Sequence, residues 1–246
     1  MPDGAFVGRG TAVASSAVIA TDVTIGENCD IGPNCVIYGG VTIGDRTILA
    51  PGCVVGAPSR PGRLRTSSSA GTVDVGSDVF LLEHVVVNAP LEGRTRVGDR
   101  TSVGPFSLVA HDCDVGEDVI VAPHCALGGY SSLGDRVNLG LGVRLHPRLA
   151  VGALAMCGMG AVITKNVAPG VTVLGAPARL AGLNRHGLLR AGFTEAQITE
   201  WRDGLEQGRL PAPDGSLGQC VIAFRRQVAR SGRAKSAIPD YPWILG

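Results

Sequence analysis

From Val13 onward an aliphatic residue returns at every sixth position: Val13, Ile19, Ile25, Ile31, Ile37, Ile43, Leu49 and Val55. Two places before each stands a smaller residue, among them Ala17, Val23, Cys29, Cys35 and Cys53. Gly26, Gly32, Gly44 and Gly56 follow directly after the aliphatic position. A helix needs a period near 3.6 and a lone strand a period of about 2, so a period of six fits neither. It fits a parallel β-helix, in which each hexad is a short strand plus a turn and three hexads close one triangular coil. Coils stacked as paired strands rise about 4.8 Å each. The core of such a prism is made of small aliphatic side chains. The composition agrees: 45% hydrophobic residues, only 4% aromatic, and 36 glycines, which suit turns that need positive φ.

The phase breaks twice. Val55 to Val75 is longer than one coil and contains a polar, basic loop with Arg60, Arg63 and Arg65. Phase returns at Val75, Leu81 and Val87, pauses over residues 88–94, then holds from Val97 through Ile163. The expected class is all-β with an α tail. A hexapeptide-repeat β-helix covers 1–177, with loops at about 56–74 and 88–94, and a C-terminal helical domain covers 178–246. In that domain Leu180, Leu183 and Leu188 follow helical spacing, and Gly192 suits a helix C-terminal cap. Thr194 and Gln197 form a capping-box pattern opening a helix to about Glu206. Residues 211–215 read as a linker, Leu217 to Ala229 as an amphipathic helix, and 237–246 as irregular.

The net charge of +1 gives no reason to expect a nucleic-acid partner. No apolar run reaches the roughly 18 residues of a membrane span. No N-terminal stretch has the pattern of a signal peptide, so a cytoplasmic location is expected. Five of the seven cysteines (Cys29, Cys35, Cys53, Cys113 and Cys125) share the small phase of the repeat, and Cys157 the aliphatic phase. They read as small buried residues in a reduced compartment. No Cys-x-x-Cys pair occurs, so no metal is expected.

One stretch looks chemical. His111 falls two places after Val109, on a turn between faces, and Asp112 follows it directly. A histidine at such an edge is ordinarily a solvated group. Here Gly129 lies one full coil, three hexads, further on and should leave an open notch. Its backbone N–H could face an oxyanion beside a base at His111. His146, nearly two coils above, completes a candidate cleft.

These features resemble the UDP-N-acetylglucosamine acyltransferases of lipid A synthesis. The resemblance rests on Ala110-His111-Asp112-Cys113, the Leu127-Gly128-Gly129 turn, His146, and the segment holding Asn184, Gly187, Leu188, Arg190, Gly192 and Phe193. It implies a left-handed β-helix with a helical C-terminal domain, acting as a homotrimer. The donor would be a thioester on acyl carrier protein, with coenzyme A as the other choice, and no cofactor is implied. His111 would be the general base, Asp112 its orienting carboxylate and Gly129 the oxyanion donor. Asn184 and Arg190 would hold donor or acceptor. Arg190 fits an anion clamp and a solvated helix arginine equally well. The departures surround the base. Leu108 and Tyr130 stand where the family has histidines, Ala191 where it has a second arginine, and Asn88-Ala89 where it has His-Arg. The first loop has no match to the family's acceptor-binding Asp and Lys. Leu108, Tyr130, His146, Asn184 and Arg190 are therefore the expected substrate contacts, for a nucleotide sugar or similar small polar acceptor carrying a hydroxyl or an amine. An arginine rim of Arg179, Arg185 and Arg190 would meet the acidic carrier protein.

Three other readings compete. A coenzyme A-dependent acetyltransferase is suggested by Leu174-Gly175-Ala176-Pro177-Ala178. A zinc carbonic anhydrase of the same prism would need three histidines drawn from His84, His111, His124 and His146, and the 13-residue spacing of His111 and His124 sets those two on different edges. The altered pocket also admits a non-catalytic scaffold.

Overall fold

The computed structural model describes residues 4–59, 71–207 and 216–230. The basic residues Arg60, Arg63 and Arg65, the 211–215 linker and the 237–246 tail lie outside the described residues.

The hexads form a three-sided prism of parallel strands, most of them two residues long. Face 1 runs from Phe6–Val7 to Ala150–Val151 with eight strands. Face 2 runs from Ala12–Val13 through Met156–Cys157 to Val171–Leu174 and on to Arg179–Leu183, with ten strands. Face 3 runs from Val18–Ile19 to Val162–Ile163 with eight strands. The aliphatic phase points inward, and Ile25, Ile31, Leu49, Val55, Leu81, Val103 and Val109 are fully buried. The small phase ties coils together. Thr11, Thr47, Thr101 and Ser107 donate their hydroxyls to turn carbonyls one coil on, at 2.7–3.2 Å. The thiols of Cys29, Cys35, Cys53, Cys113 and Cys125 take the same place at 3.0–3.2 Å. All seven cysteines are free.

The turns between faces mostly have two residues, and in nearly all of these the second has φ near +60°. Asn28, Asn34, Asp78 and Asp118 occupy this position as expected for side chains that tolerate the left-handed region. The two breaks in phase are excursions between strands that keep the stacking intact. Val41–Ile43 pairs with Thr72–Val75, and Thr72–Val75 with Arg94–Val97.

The end of the prism differs from its expected shape. Residues 179–183 do not form a helix. After Pro177 the chain folds back as the strand Arg179–Leu183, antiparallel to Val171–Leu174 on face 2. Gly175, at φ +91°, stands in the reversal, and Gly182, at φ +137°, stands at a shift in register within the strand pair. The spacing of Leu180 and Leu183 is equally that of a strand edge with one irregularity. Helix begins at α1 (Arg185–Arg190), capped by Asn184, with Gly192 at φ +92° just beyond its end. The α2 helix (Glu195–Glu206) opens with both bonds of the Thr194–Gln197 capping box. The α3 helix (Ser216–Arg230) lays Phe224 and Val228 on Ala150 and so covers the top of face 1. Among the described residues no helix is long and apolar enough to cross a membrane.

Candidate active site

His111 and Asp112 are the two turn residues where face 3 passes into face 1, between strands Leu108–Val109 and Asp114–Val115. Asp112 sits at φ +57°, and its N–H donates to Thr95 Oγ1 at 2.9 Å. Its carboxylate turns back onto the 88–94 excursion. It accepts the N–H groups of Leu91, Glu92 and Gly93 at 2.8, 3.1 and 3.0 Å, and it meets His111 Nδ1 at 3.0 Å. Only 7% of the Asp112 side chain is exposed, against 23% for His111. Burial pushes the Asp112 pKa up, but the three backbone donors and His111 outweigh it, and the net shift is downward. The carboxylate is therefore ionised at neutral pH. It fixes the Nδ1 side of the imidazole and leaves Nε2 for chemistry.

Gly129 lies directly above His111. The open notch expected there is filled by the histidine itself, since a Cβ on Gly129 would stand 2.5 Å from His111 Nε2. Only glycine lets the ring settle against the next coil. Its N–H is the second feature. In this fold the first N–H of each turn has no backbone acceptor. At Glu27, Ser77 and Glu117 an aspartate one coil on accepts it, at 2.8–2.9 Å. At positions 33, 51, 105, 123 and 147 proline removes the donor. Gly129 keeps its N–H, and the corresponding residue one coil on is Pro147. Among the described residues nothing accepts it. A proton acceptor and an unpaired donor thus stand side by side, the arrangement that addition to a carbonyl needs.

The other expected residues divide by edge. Tyr130 follows Gly129, and its ring meets His111 edge-on, with centroids 5.0 Å apart. Leu108 is three residues before the base on face 3, 37% exposed. His146 is on the same edge, exposed, one residue before the turn column. Its Nδ1 lies 3.1 Å from the Pro147 carbonyl oxygen. His84 and His124 stack on Phe106 at the opposite edge, between faces 2 and 3, which separates them from His111. Asn184 is committed to structure. Its amide donates to the Leu154 carbonyl at 2.8 Å, and its Oδ1 caps α1 at the Gly187 N–H. With Arg190, His186, Arg136 and Asp118 it lines a cavity of about 380 Å³ at the edge between faces 1 and 2. Within one chain, Asn184 and Arg190 and the His111 turn are therefore on different edges. Arg185, from the expected rim, is ion-paired with Glu195.

Sequence reasoning missed Arg148 and Glu92. The Arg148 guanidinium lies 4.0 Å over the Tyr130 ring, and burial, followed by the neighbouring Glu92 carboxylate, pushes the Tyr130 phenol up to about 12. Arg148 could have been found, because it is one whole coil beyond Tyr130. Glu92 could not, because the excursion breaks the register.

The chain matches the bacterial transferase hexapeptide family (six repeats) over residues 4–39, 31–57 and 94–129. It is 33% identical over 178 residues to the acyl-[acyl-carrier-protein]–UDP-N-acetylglucosamine O-acyltransferase of Alkalilimnicola ehrlichii, covering 65% of this chain and 68% of that protein. To the protein of the same name from Gloeothece citriformis it is 35% identical over 146 residues, covering 58% of this chain and 53% of that one. Among solved structures, a UDP-N-acetylglucosamine acyltransferase from Bacteroides fragilis superposes with a TM-score of 0.78 at 24% identity, over 99% of this chain and 94% of that one. The Campylobacter jejuni enzyme gives 0.78 at 22%, over 96% and 93%. The prism shares their left-handed β-helix fold. Fold and relatives together define a hexapeptide-repeat acyltransferase. Within that class, the chain belongs to the UDP-N-acetylglucosamine O-acyltransferase family.

Proposed function

We propose that this protein transfers an acyl group from an acyl carrier protein thioester to a hydroxyl or amine of a nucleotide sugar or a closely related acceptor. The donor is named by the curated relatives. The single observation that carries the chemistry is the His111–Asp112 pair set against the unpaired Gly129 N–H. His111 Nε2 takes the proton as the acceptor atom adds to the thioester carbonyl. The carbonyl oxygen becomes an oxyanion facing the Gly129 N–H. Collapse breaks the carbon–sulfur bond, and the imidazolium returns the proton to the departing thiolate. Asp112, ionised and held by three N–H groups, stabilises the imidazolium in between. A thioester is already an activated acyl group, so the reaction calls for no cofactor.

The working unit in this reading is a homotrimer. Face 1 carries Thr24, Thr42, Asp74, Arg96 and Asp114 outward, and α3 covers its top. Faces 2 and 3 and the edge between them expose Phe80, Ile120, Val18, Leu108, Phe106 and Met159. Burying such surface drives association. If face 3 of one copy meets face 2 of the next around a threefold axis, the His111 edge of one copy meets the Asn184–Arg190 edge of its neighbour. Arg190, on the helix that Asn184 caps, then completes the site from the partner and is placed to grip a phosphate. The free cysteines agree with a reducing, cytoplasmic setting.

The acceptor pocket should not treat UDP-N-acetylglucosamine as the relatives do. Leu108 offers no hydrogen bond, and the Tyr130 ring is already covered by Arg148. The deciding experiment uses one acyl carrier protein donor with a panel of nucleotide sugars and amino sugars. Turnover of a related acceptor well above UDP-N-acetylglucosamine supports the reading. Preference for UDP-N-acetylglucosamine removes its acceptor clause. No transfer to any acceptor, from this donor or from coenzyme A thioesters, overturns it.

A further inference from the structure

We infer that Tyr130 is a positioning residue for His111, held by Arg148, rather than a substrate contact. The backbone gives the first reason. Tyr130 sits at φ +60°, a left-handed turn position that costs any non-glycine residue some conformational energy, as it does at Phe106 and Leu154. Its contacts supply the second reason, because its backbone and ring are both engaged. The N–H donates to the His111 carbonyl at 3.0 Å. The ring stands at 87° to the imidazole, edge against face. Arg148 covers the ring from the next coil at 4.0 Å. Asp112 fixes one edge of His111, Gly129 admits the ring, and Tyr130 closes the remaining side. Arg148 keeps Tyr130 from turning away.

This inference rests on His111 being the base, and its test separates the two. Tyr130→Gly removes the ring and suits the positive φ of this turn position, so the backbone is kept. Tyr130→Phe keeps the ring and loses only the hydroxyl. Arg148→Met keeps bulk and loses the charge. Three readouts are taken on the full assembly: kcat against both KM values, the pH profile of kcat/KM, and the His111 Nδ1–H signal in histidine-labelled protein by NMR. Tyr130→Gly should lower kcat roughly 10- to 100-fold, as misplacement of a catalytic group does, with both KM values within about twofold. Its Nδ1–H signal should broaden through exchange with water. Tyr130→Phe should restore the signal and most of kcat. Arg148→Met should fall between, at about two- to fivefold. A rise in acceptor KM with kcat and the NMR signal unchanged in Tyr130→Gly would make Tyr130 a substrate contact and overturn the inference. If His111→Ala keeps full turnover while Tyr130→Gly still frees the Nδ1–H, the base reading fails and the positioning contact stands.

Discussion

One carboxylate oxygen of Asp112 accepts the Leu91 N–H at 2.8 Å and meets His111 Nδ1 at 3.0 Å. The excursion at 88–94 and the proposed base are therefore two ends of one connection. A loop that breaks the hexad register is what holds the imidazole's partner in place.

Asp112→Asn tests this connection. Each carboxylate oxygen holds two donors and an amide nitrogen accepts none, so two donors lose their partner. A hydrogen bond to a charged group contributes roughly 1.5–3 kcal/mol. Stability should fall by at least that amount, measured by denaturant melts. Turnover should fall about 10²- to 10⁴-fold, the usual range for disabling a general base.

Acid should release the same connection. The folded-state pKa of Asp112 lies below its ordinary value. Its stabilising contribution is therefore full above the ordinary aspartate pKa, near pH 4, and is lost as pH falls through the lower folded value. Amide protection at Leu91, Glu92 and Gly93 should drop below about pH 4 ahead of the prism core. In Asp112→Asn those amides should show low protection at neutral pH as well. Simultaneous loss of core and loop protection in the wild type would contradict this.

His111→Ala should lose about 10²- to 10⁴-fold in rate while keeping its circular dichroism and melting temperature. The side chain is on an edge turn, outside the buried aliphatic column. Near-normal turnover would move the base elsewhere, with His146 next to be tried.

Gly129→Ala probes the steric half of the site. No positive φ demands glycine here, so the backbone tolerates alanine. The new methyl would stand 2.5 Å from His111 Nε2 and push the ring off its seat. A rate loss of about 100-fold is expected, on the scale of a misplaced catalytic group, with little change in stability. Unchanged turnover would mean that the ring can move freely without cost.

Mixed oligomers test the shared site. His111→Ala and Arg190→Ala proteins, each weak alone, should recover activity when unfolded together and reassembled. Some interfaces then hold both wild-type side chains. No recovery would remove Arg190 from the His111 site, and light scattering showing an active monomer would overturn the homotrimer.

The prism was legible in the sequence because each hexad repeats the same inward residue, and Val97 to Ile163 keeps step without an error. His111, Asp112 and Gly129 were legible for the same reason, since fixed register predicts which side chains share an edge. What escaped reading lay where register stops. Asp112 is held by backbone N–H groups of 91–93, and no side-chain pattern announces backbone donors. Glu92 reaches Tyr130 only because the excursion folds over the edge. The strand Arg179–Leu183 was mistaken for helix because two leucines three apart satisfy either geometry over so short a span. Asn184, expected to touch substrate, caps a helix and ties it to Leu154.

The two-residue turn, repeated up the edge, has a consequence for how such a site can change. Side chains on this edge are addressed in whole rungs, each three hexads along the chain and one strand spacing from the next. A group can be exchanged on its rung or moved to another, and nothing lies between. The 88–94 excursion escapes that arithmetic. Its length is free, its ends are anchored in neighbouring strands, and its middle is clasped by Asp112. It is a place on this edge where distance can be tuned smoothly rather than in steps. Variation in the acceptor among related chains should therefore follow the length and sequence of this excursion more closely than the hexads beside it.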